Sequence, residues 1–405
     1  MKKVLIIADE FPPVGGAGVQ RTLKFTKYLQ HFKYMPTVFT RDEYDISLKD
    51  ESLLSEIPFN VEVIRTRPFD FLHQNNLISK IIYYKLLIPD GRFLWYFFSR
   101  KALLRQVKRV SPDILYSTSF PYSDHLLGLY VKKKMKNIKW VADFRDEWTN
   151  NPYFKYSKFR TSIEKKLEKK ILANADSLIT NTPYMRDNFI ESYPFIKDKI
   201  AVIPNGYDQE DYHDMSLNHE NNHIFTITYT GSLYGSRKPD SFLQALSSVK
   251  DKLPNMKVVF IGNIKSDQIK KLLSQLNLED SVEFIPYLPH KECIKKLSSG
   301  HVSLLIEGKE NIPFYTGKLF EYMYVSHPIL AVIPENGAAA DLIRETGTGL
   351  VCDCEDINAI SSALIKLYGD WEKNVASVLR NESEIEKYSR KHLTEKLVDI
   401  FNSIL

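Results

Sequence analysis

The chain has 405 residues, of which 43% are hydrophobic and 26% are charged. This composition excludes a disordered protein, and the length exceeds what one ordinary hydrophobic core requires, so two domains are expected. The charge is unevenly divided: residues 1–205 hold 34 Lys and Arg against 22 Asp and Glu, a net charge of +12, and residues 206–405 hold 21 against 28, a net charge of −7.

Cysteine usage and the N-terminus predict a cytoplasmic protein. Three cysteines leave one unpaired in any disulfide scheme, and Cys352 and Cys354 have no histidine-rich surroundings, so we expect no metal site. The chain begins directly with a strand-like run at residues 3–8 and shows no signal-peptide layout. No run of about 18 apolar residues, the length that a membrane-spanning helix needs, is present in the sequence.

The first half alternates short apolar runs with helical segments. Strands are predicted at residues 4–8, 37–40, 113–118, 140–142, 175–180 and 200–203. A loop rich in glycine and proline follows the first strand and leads into a helix at residues 19–30. Strand, glycine-rich loop and helix form the first unit of a doubly wound parallel sheet.

The same loop partly matches the fingerprint of dinucleotide-binding domains. Gly16 and Gly18 occupy the positions of its first two glycines, and an acidic residue follows about 20 residues later. Arg21 stands where the third glycine is required. This substitution disfavours a nicotinamide or flavin cofactor, although the glycines still permit close approach of the backbone to a ligand.

Two aromatic segments, at residues 77–88 and 93–98, allow two interpretations. Both mix aromatic, aliphatic and basic side chains, and basic runs follow at 105–109, 132–136 and 155–170. One interpretation is a patch that lies on an anionic membrane surface, which we favour over nucleic acid as the partner of the basic half. The other is a pair of amphipathic helices packed on the sheet.

Polar residues follow the strands at 113–118 and 140–142. Because ligands of an open parallel sheet lie at the carboxyl ends of its strands, His125, Arg145 and Asp146 are placed where chemistry is expected. The alternative is structural. Asp143 and Arg145 would then form an ion pair, and His125 would be a residue at a helix N-terminus.

A domain boundary is predicted near residue 205. A turn at residues 204–208 precedes a polar stretch at 209–222, and strands are then predicted at 225–230, 257–261, 282–285, 302–306, 328–332 and 348–351. Strand and helix alternate again, which indicates a second doubly wound domain. We therefore predict domains at 1–205 and 206–384, and a last helix within 385–405 that reaches back to the first domain.

Residues 311–323 carry the strongest site signal. A loop runs into a helix that begins near Thr316, and Lys318 and Glu321 are three residues apart, so they share a helix face. The helix N-terminus and Lys318 suit a phosphate, while Glu321 can accept hydrogen bonds from two sugar hydroxyls. Arg237, in a glycine-rich loop, can join Lys318 at a diphosphate. The alternative is a surface helix with one weak ion pair.

Five motifs in this order resemble family 4 of the retaining glycosyltransferases, particularly the bacterial members that build capsule, O-antigen or exopolysaccharide repeats. They are the Gly15-Gly16 loop, residues 143–148, 203–206 and 229–231, and residues 317–322 before 328–331. The resemblance implies the GT-B fold, with two Rossmann-like domains, an interdomain cleft and a C-terminal helix that returns to the first domain. It covers essentially the whole chain.

The resemblance also implies where the substrates bind. The donor, with a UDP-sugar expected first, would lie on the second domain, with its ribose on Glu321 and its base along residues 286–289. The implied donor-binding residues are Gly15, Gly16, Gly231, Ser232, Arg237, Tyr287, Leu288, Tyr315, Thr316, Gly317, Lys318 and Glu321. A glycan or polyprenyl-lipid-linked acceptor would lie on the first domain near the catalytic candidates Asp146, Arg145 and His125.

The chain departs from the family pattern at three places. Pro313 stands where the family has a glutamate that contacts the sugar, Ser232 replaces an arginine and Arg237 a lysine, and the family's histidine falls near Ser119. The implied reaction is transfer of a hexose or N-acetylhexosamine with retention, by front-face displacement. The leaving diphosphate takes the acceptor proton, and neither a metal nor another cofactor is expected.

Two other functions fit the same architecture. A nucleotide-sugar 2-epimerase would use Asp146 and His125 as its acid and base groups. A non-catalytic protein that binds nucleotide sugars is favoured by the missing glutamate at Pro313.

Overall fold

The computed structural model describes residues 1–42, 49–67, 87–154, 156–212, 223–233, 235–264 and 266–405. These residues divide into two units: Met1–Pro204 with Arg390–Leu405, and Asn205–Ser389. Most of the aromatic segment at 77–88, Lys155 of the basic run and residues 213–222 of the polar stretch lie outside the described residues.

The first unit is built on a parallel sheet. Its strands in the described chain are β1 (Lys2–Ile7), β2 (Tyr34–Arg41), β3 (Glu62–Thr66), β4 (Ile114–Ser119), β5 (Lys139–Phe144), β6 (Ser177–Thr180) and β7 (Ile200–Val202). They are arranged in the order β3-β2-β1-β4-β5-β6-β7, and every pair is parallel. Strand β3 was not predicted, because its side chains are only half-buried and give a weak apolar signal.

Helices pack on this sheet through regularly spaced side chains. The described helices are α1 (Ala17–Tyr28), α2 (Phe93–Val110), α3 (Ser123–Lys134), α4 (Lys158–Asn174) and α5 (Pro183–Ser192). In α2 the buried residues recur every four positions, at Trp95, Ser99, Leu103 and Val107. The amphipathic-helix interpretation is therefore correct for this segment. No described helix combines the length and the apolar character that a membrane crossing requires.

The second unit has the same architecture. Its strands are β8 (Phe225–Thr230), β9 (Met256–Ile261), β10 (Val282–Ile285), β11 (Val302–Ile306), β12 (Ile329–Val332) and β13 (Gly349–Cys352), in the parallel order β10-β9-β8-β11-β12-β13. Its described helices are α6 (Asp240–Val249), α7 (Ser266–Leu276), α8 (His290–Ser298), α9 (Gly317–Val325), α10 (Ala338–Thr346), α11 (Ile357–Glu372) and α12 (Glu382–Glu386).

Both faces of the second sheet are covered. Leu304 of β11 belongs to a core with residues of α6 and α11, whereas its neighbour Leu305 belongs to a second core with residues of α9 and α10. Successive side chains of a strand point to opposite faces, so a strand buried on both sides is mostly apolar. The prediction of two doubly wound, Rossmann-like domains is confirmed.

The C-terminal helix α13 (Arg390–Ile404) belongs to the first unit. It buries Leu393, Leu397 and Phe401, and the Phe401 ring contacts the rings of Tyr34 and Tyr116. The return of the chain to the first unit was predicted. The last helix was expected within 385–405, and α13 lies inside this range, while α12 forms a separate short helix before it.

In each sheet the strand order reverses beside the first strand of its unit, between β1 and β4 and between β8 and β11. Loops at the carboxyl ends of the strands diverge at such a point and leave a crevice, where open parallel sheets bind their ligands. This topology gives each unit one candidate site.

Candidate functional site

Polar groups converge at the point of reversal in the second sheet. Gly231 follows β8, Glu307 follows β11, and the loop after Glu307 leads into α9. Gly231 has a φ of +105°, and a Cβ atom there would be 3.6 Å from Nζ of Lys318. Glycine therefore permits the left-handed backbone that keeps the loop at Gly231 and Ser232 against Lys318.

Helix α9 presents a free N-terminus at this point. Its N-cap residue, Thr316, makes no capping hydrogen bond, and the buried Oγ1 atom of Thr316 has no hydrogen-bond partner. The helix is anchored because the Tyr322 hydroxyl accepts a hydrogen bond from the backbone N–H of Thr230 at 2.9 Å. Tyr315, before the cap, packs edge-on against Phe320. The first N–H groups of a helix and the positive end of its dipole favour an anion here.

Lys318, in the first turn of α9, carries a buried ammonium group. Its Nζ atom has no hydrogen-bond partner and lies 3.9 Å from the centroid of the Tyr229 ring. Burial lowers the pKa of Lys318 to about 7, while the Glu307 carboxylate opposes this shift and Arg237 adds to it. A buried cation that contacts an aromatic ring and has no hydrogen-bond partner is a ready partner for a phosphate.

Arg237 forms an ion pair with Glu307, a residue that was not predicted as part of the site. Its Nε donates to Oε2 of Glu307 at 2.6 Å, and the side-chain amide of Asn311 donates to the same oxygen. The prediction that Arg237 lies near Lys318 agrees with the geometry, but its guanidinium is already paired. Glu307 could have been found from the sequence, since it directly follows the apolar strand β11.

Glu321, one turn after Lys318, faces the loop predicted to line the base. Its Oε1 lies 2.8 Å from Nε2 of His290, the first residue of α8. Tyr287 is exposed and Leu288 is half-buried in the segment just before His290. The structure therefore brings Glu321 and the 286–289 segment together. His290 was not predicted, although a histidine that follows a strand end and begins a helix is a recognisable signal.

In the first unit, Gly15 and Gly16 lie in the loop before α1, and Gly16 caps that helix with a φ of +97°. Arg145 connects this loop to the end of β4. It donates to the backbone carbonyls of Ser119 and Phe120, each at 2.6 Å, and to that of Gly18. These contacts indicate that Arg145 positions two loops. Asp146, the next residue, is half-buried beside them.

The structural alternative, an ion pair of Asp143, is correct in kind, but its partner is Arg21 and not Arg145. Asp143 forms a buried bidentate pair with Arg21, with distances of 2.7 Å to Nε and 2.9 Å to Nη2. Arg21 also donates to the carbonyl of Pro204. The arginine that interrupts the dinucleotide fingerprint is thus an internal structural residue of the first unit.

His125 is fully buried within α3. Its Nδ1 lies 2.8 Å from the Ser117 hydroxyl, and its ring contacts that of Phe144. Burial lowers the pKa of His125 to about 3, so the imidazole is neutral at physiological pH. A neutral histidine without exposed surface fits a packing role, and these contacts give no support to the predicted catalytic role.

Comparison with known proteins gives the family of the chain. Residues 21–211 match the family model Glycosyltransferase Family 4, and residues 211–384 match the model Glycosyl transferases group 1. A D-inositol 3-phosphate glycosyltransferase from Corynebacterium urealyticum is 22% identical over 294 residues, which cover 68% of each chain. Two further relatives of that name are matched over 55% and 52% of their own length.

Solved glycosyltransferases share the fold. A glycosyltransferase from Rickettsia africae superposes with a TM-score of 0.71 at 14% identity, covering 100% of this chain and 98% of the other. WaaG, a glycosyltransferase involved in lipopolysaccharide biosynthesis, superposes with a TM-score of 0.65 at 14% identity, covering 98% and 99%. The chain belongs to family 4 of the glycosyltransferases and has the GT-B fold.

Proposed function

We propose that the protein transfers a hexose or N-acetylhexosamine from a nucleotide sugar, in the first instance a UDP-sugar, to a glycan or a lipid-linked acceptor. The observation that carries the proposal is the buried, unpartnered ammonium of Lys318 at the N-terminus of α9, one turn before Glu321. A diphosphate supplies the missing counter-charge at Lys318. Glu321 then faces the ribose, and Tyr287 and Leu288 face the base.

The reaction we propose proceeds with retention at the anomeric carbon and without a metal. The bond between the anomeric carbon and the phosphate oxygen breaks while the acceptor oxygen bonds to the same face of the sugar. The acceptor proton passes to the leaving phosphate oxygen. Lys318 and the N–H groups at the start of α9 stabilise the charge of the leaving diphosphate.

The acceptor belongs, in this proposal, to bacterial surface polysaccharide synthesis. Support comes from the fold shared with WaaG, a glycosyltransferase involved in lipopolysaccharide biosynthesis. The relatives named D-inositol 3-phosphate glycosyltransferase act on a small phosphorylated acceptor, as their name says. Assays should therefore include both kinds of acceptor.

A peripheral contact with the cytoplasmic face of an anionic membrane is part of the proposal. The exposed charged residues of α4 are all lysines: Lys158, Lys165, Lys166, Lys169 and Lys170. Its two acidic residues, Glu164 and Glu168, are buried and bonded internally, for example to Arg160 and Thr149. The outer face of this helix is therefore purely basic, which suits anionic lipid.

Sedimentation with phosphatidylglycerol vesicles should fall as salt is added, and salt-insensitive sedimentation would contradict the proposed membrane contact.

The first experiment is a thermal-shift screen against UDP-, GDP- and ADP-sugars, followed by transfer assays with the best donor. We expect stabilisation by nucleotide sugars and transfer to a glycan or lipid-linked acceptor. Complete conversion of UDP-N-acetylglucosamine without any acceptor would instead identify an epimerase. Binding without hydrolysis or transfer to any acceptor would identify a non-catalytic binding protein.

A further inference from the structure

Four buried side-chain atoms without hydrogen-bond partners belong to the loop after β8, the residue after β11 and the start of α9. They are Oγ of Ser236, Oε1 of Glu307, Oγ1 of Thr316 and Nζ of Lys318. A Cβ atom on Gly308, beside Glu307, would lie 2.2 Å from the Ser236 hydroxyl, and Glu307 acts electrostatically on Lys318. Buried polar atoms are nearly always hydrogen-bonded, so this concentration points to a ligand.

The four atoms differ in what they can bind. The Ser236 and Thr316 hydroxyls and the Lys318 ammonium group can all donate hydrogen bonds. Glu307 is different, because its Oε2 already accepts from Arg237 and Asn311 and the carboxylate has no proton to give. Its free oxygen, Oε1, can therefore only accept.

The phosphates of a nucleoside diphosphate cannot satisfy Glu307. Phosphate oxygens are acceptors with negative charge, so they bind to Lys318, Ser236 and Thr316 and are repelled by Oε1 of Glu307. The group that meets Oε1 must carry an N–H or O–H, and it must lie next to the diphosphate. In a nucleotide sugar, the ribose and the transferred sugar both have these properties. Since the proposed function places the ribose on Glu321, the transferred sugar is left for Glu307.

We propose that Oε1 of Glu307 accepts a hydrogen bond from a hydroxyl or acetamido group of the donor sugar, which makes Glu307 a determinant of donor specificity. This rests on the proposed function, since it assumes a nucleotide-sugar donor at Lys318. Arg237 and Asn311 fix the carboxylate from its other side, so its free oxygen has a defined direction. A fixed acceptor discriminates between sugars that present a donor group there and sugars that do not.

The test is the isosteric substitution Glu307→Gln. The amide carbonyl can still accept from Arg237 and Asn311, which places the amide NH2 where Oε1 stood and replaces an acceptor by a donor. Binding of UDP, GDP and ADP is compared with binding of the matching nucleotide sugars by calorimetry. We expect the dissociation constant of the nucleotide sugar to rise about tenfold, while that of the nucleoside diphosphate stays within about twofold.

Two other outcomes overturn the inference and leave the proposed function standing. Equal weakening of the diphosphate and the nucleotide sugar would show that Glu307 only positions Arg237. Unchanged binding of both would show that Glu307 contacts neither. If the wild-type protein binds none of the nucleotides or nucleotide sugars, the proposed function itself fails. Glu283→Gln, which alters an exposed carboxylate paired with Lys257, is the matched control and should change nothing.

A second measurement tests the same contact by altering the ligand, and its first part needs only the wild-type protein. Wild-type protein is titrated with a series of monodeoxy or deoxyfluoro analogues of its nucleotide-sugar donor. We expect one analogue to lose about as much affinity as Glu307→Gln loses for the full donor, and the variant to show no further loss with that analogue. Equal wild-type affinity for every analogue would contradict the inference.

Discussion

The ammonium nitrogen of Lys318 lies 3.9 Å from the centroid of the Tyr229 ring, and it has no hydrogen-bond partner although it is buried. A cation in this position costs stability that the ring offsets only in part. Replacing Lys318 by methionine keeps an unbranched side chain that is only one atom shorter and removes the charge. We expect Lys318→Met to weaken nucleotide-sugar binding at least tenfold, by loss of a charge-assisted bond to phosphate, without lowering the melting temperature.

Isothermal calorimetry and thermal unfolding check this prediction together. Lys366→Met, at an exposed ion pair with Asp370, is the matched control and should leave binding unchanged. Wild-type affinity in Lys318→Met would remove Lys318 from the site. A large fall in melting temperature would mean that the ammonium group contributes to the fold.

Substitutions at Glu321 and at Lys318 should affect ligand binding in different ways. Because its carboxylate faces His290 and the segment before it, we expect Glu321→Ala to lower affinity for UDP-sugars several-fold through lost bonds to the ribose. Inorganic pyrophosphate has no ribose, so its binding should weaken in Lys318→Met and not in Glu321→Ala. Competition assays with pyrophosphate separate the two roles. An equal loss of pyrophosphate binding in both variants would refute this division.

The lowered pKa of Lys318 makes ligand binding and stability depend on pH in opposite directions. The folded protein holds the Lys318 proton only below a pKa of about 7, whereas the ordinary value is 10.5. A diphosphate favours the protonated form, so its affinity should fall as pH rises above about 7. Between the two values the unfolded chain binds one more proton, so the free energy of unfolding should rise with pH.

Calorimetry in buffers of different ionisation enthalpy measures the proton taken up with the ligand. Urea unfolding across the same pH range measures how the free energy of unfolding changes with pH. Lys318→Met should abolish both dependences. A pH dependence that is identical in wild type and Lys318→Met would assign the effect to another group.

The buried pair of Arg21 and Asp143 predicts a loss of stability without a specific loss of catalysis. Asp143→Ala leaves the Arg21 guanidinium buried without its carboxylate, which costs about 3–5 kcal/mol of the free energy of unfolding. Urea unfolding measures this cost. The double variant Arg21→Met with Asp143→Leu should recover much of it, because no buried charge remains. A single variant of wild-type stability and reduced turnover would instead place Asp143 in the reaction.

The sequence predicted the architecture well, since buried strand segments such as residues 4–7 of β1 and Ile329–Val332 of β12 are continuous apolar runs that can be found without knowledge of tertiary contacts. The pairing of side chains between different elements was harder to predict from the sequence. Asp143 and Arg145 are only two positions apart, but β5 ends between them and their side chains have different partners. The partner of Asp143 is Arg21 of α1.

The same limit explains the errors in the site. Lys318 and Glu321 lie on one helix, where spacing determines the shared face, and the structure places them as expected. Arg237 reaches Glu307 from the loop after β8, and His290 reaches Glu321 from the start of α8, so both contacts depend on the order of the strands. Spacing along the chain carries no information about that order.

Two predicted catalytic residues of the first unit differ in burial, since His125 is fully buried and Asp146 is half-buried. The Trp140 indole N–H donates to the Ser117 hydroxyl, so this hydroxyl can donate to Nδ1 of His125, and the imidazole is held in the interior as a neutral acceptor. We expect His125→Phe to retain its transfer rate per folded molecule, because the ring packing against Phe144 is preserved.

We expect Asp146→Asn to reduce the transfer rate at least tenfold with little change in donor affinity. Asp187→Asn, at an exposed carboxylate, is the control for the second change. Transfer assays corrected for the folded fraction decide the matter: inactivity of well-folded His125→Phe would restore His125 as a catalytic residue, and full activity of Asp146→Asn would exclude Asp146.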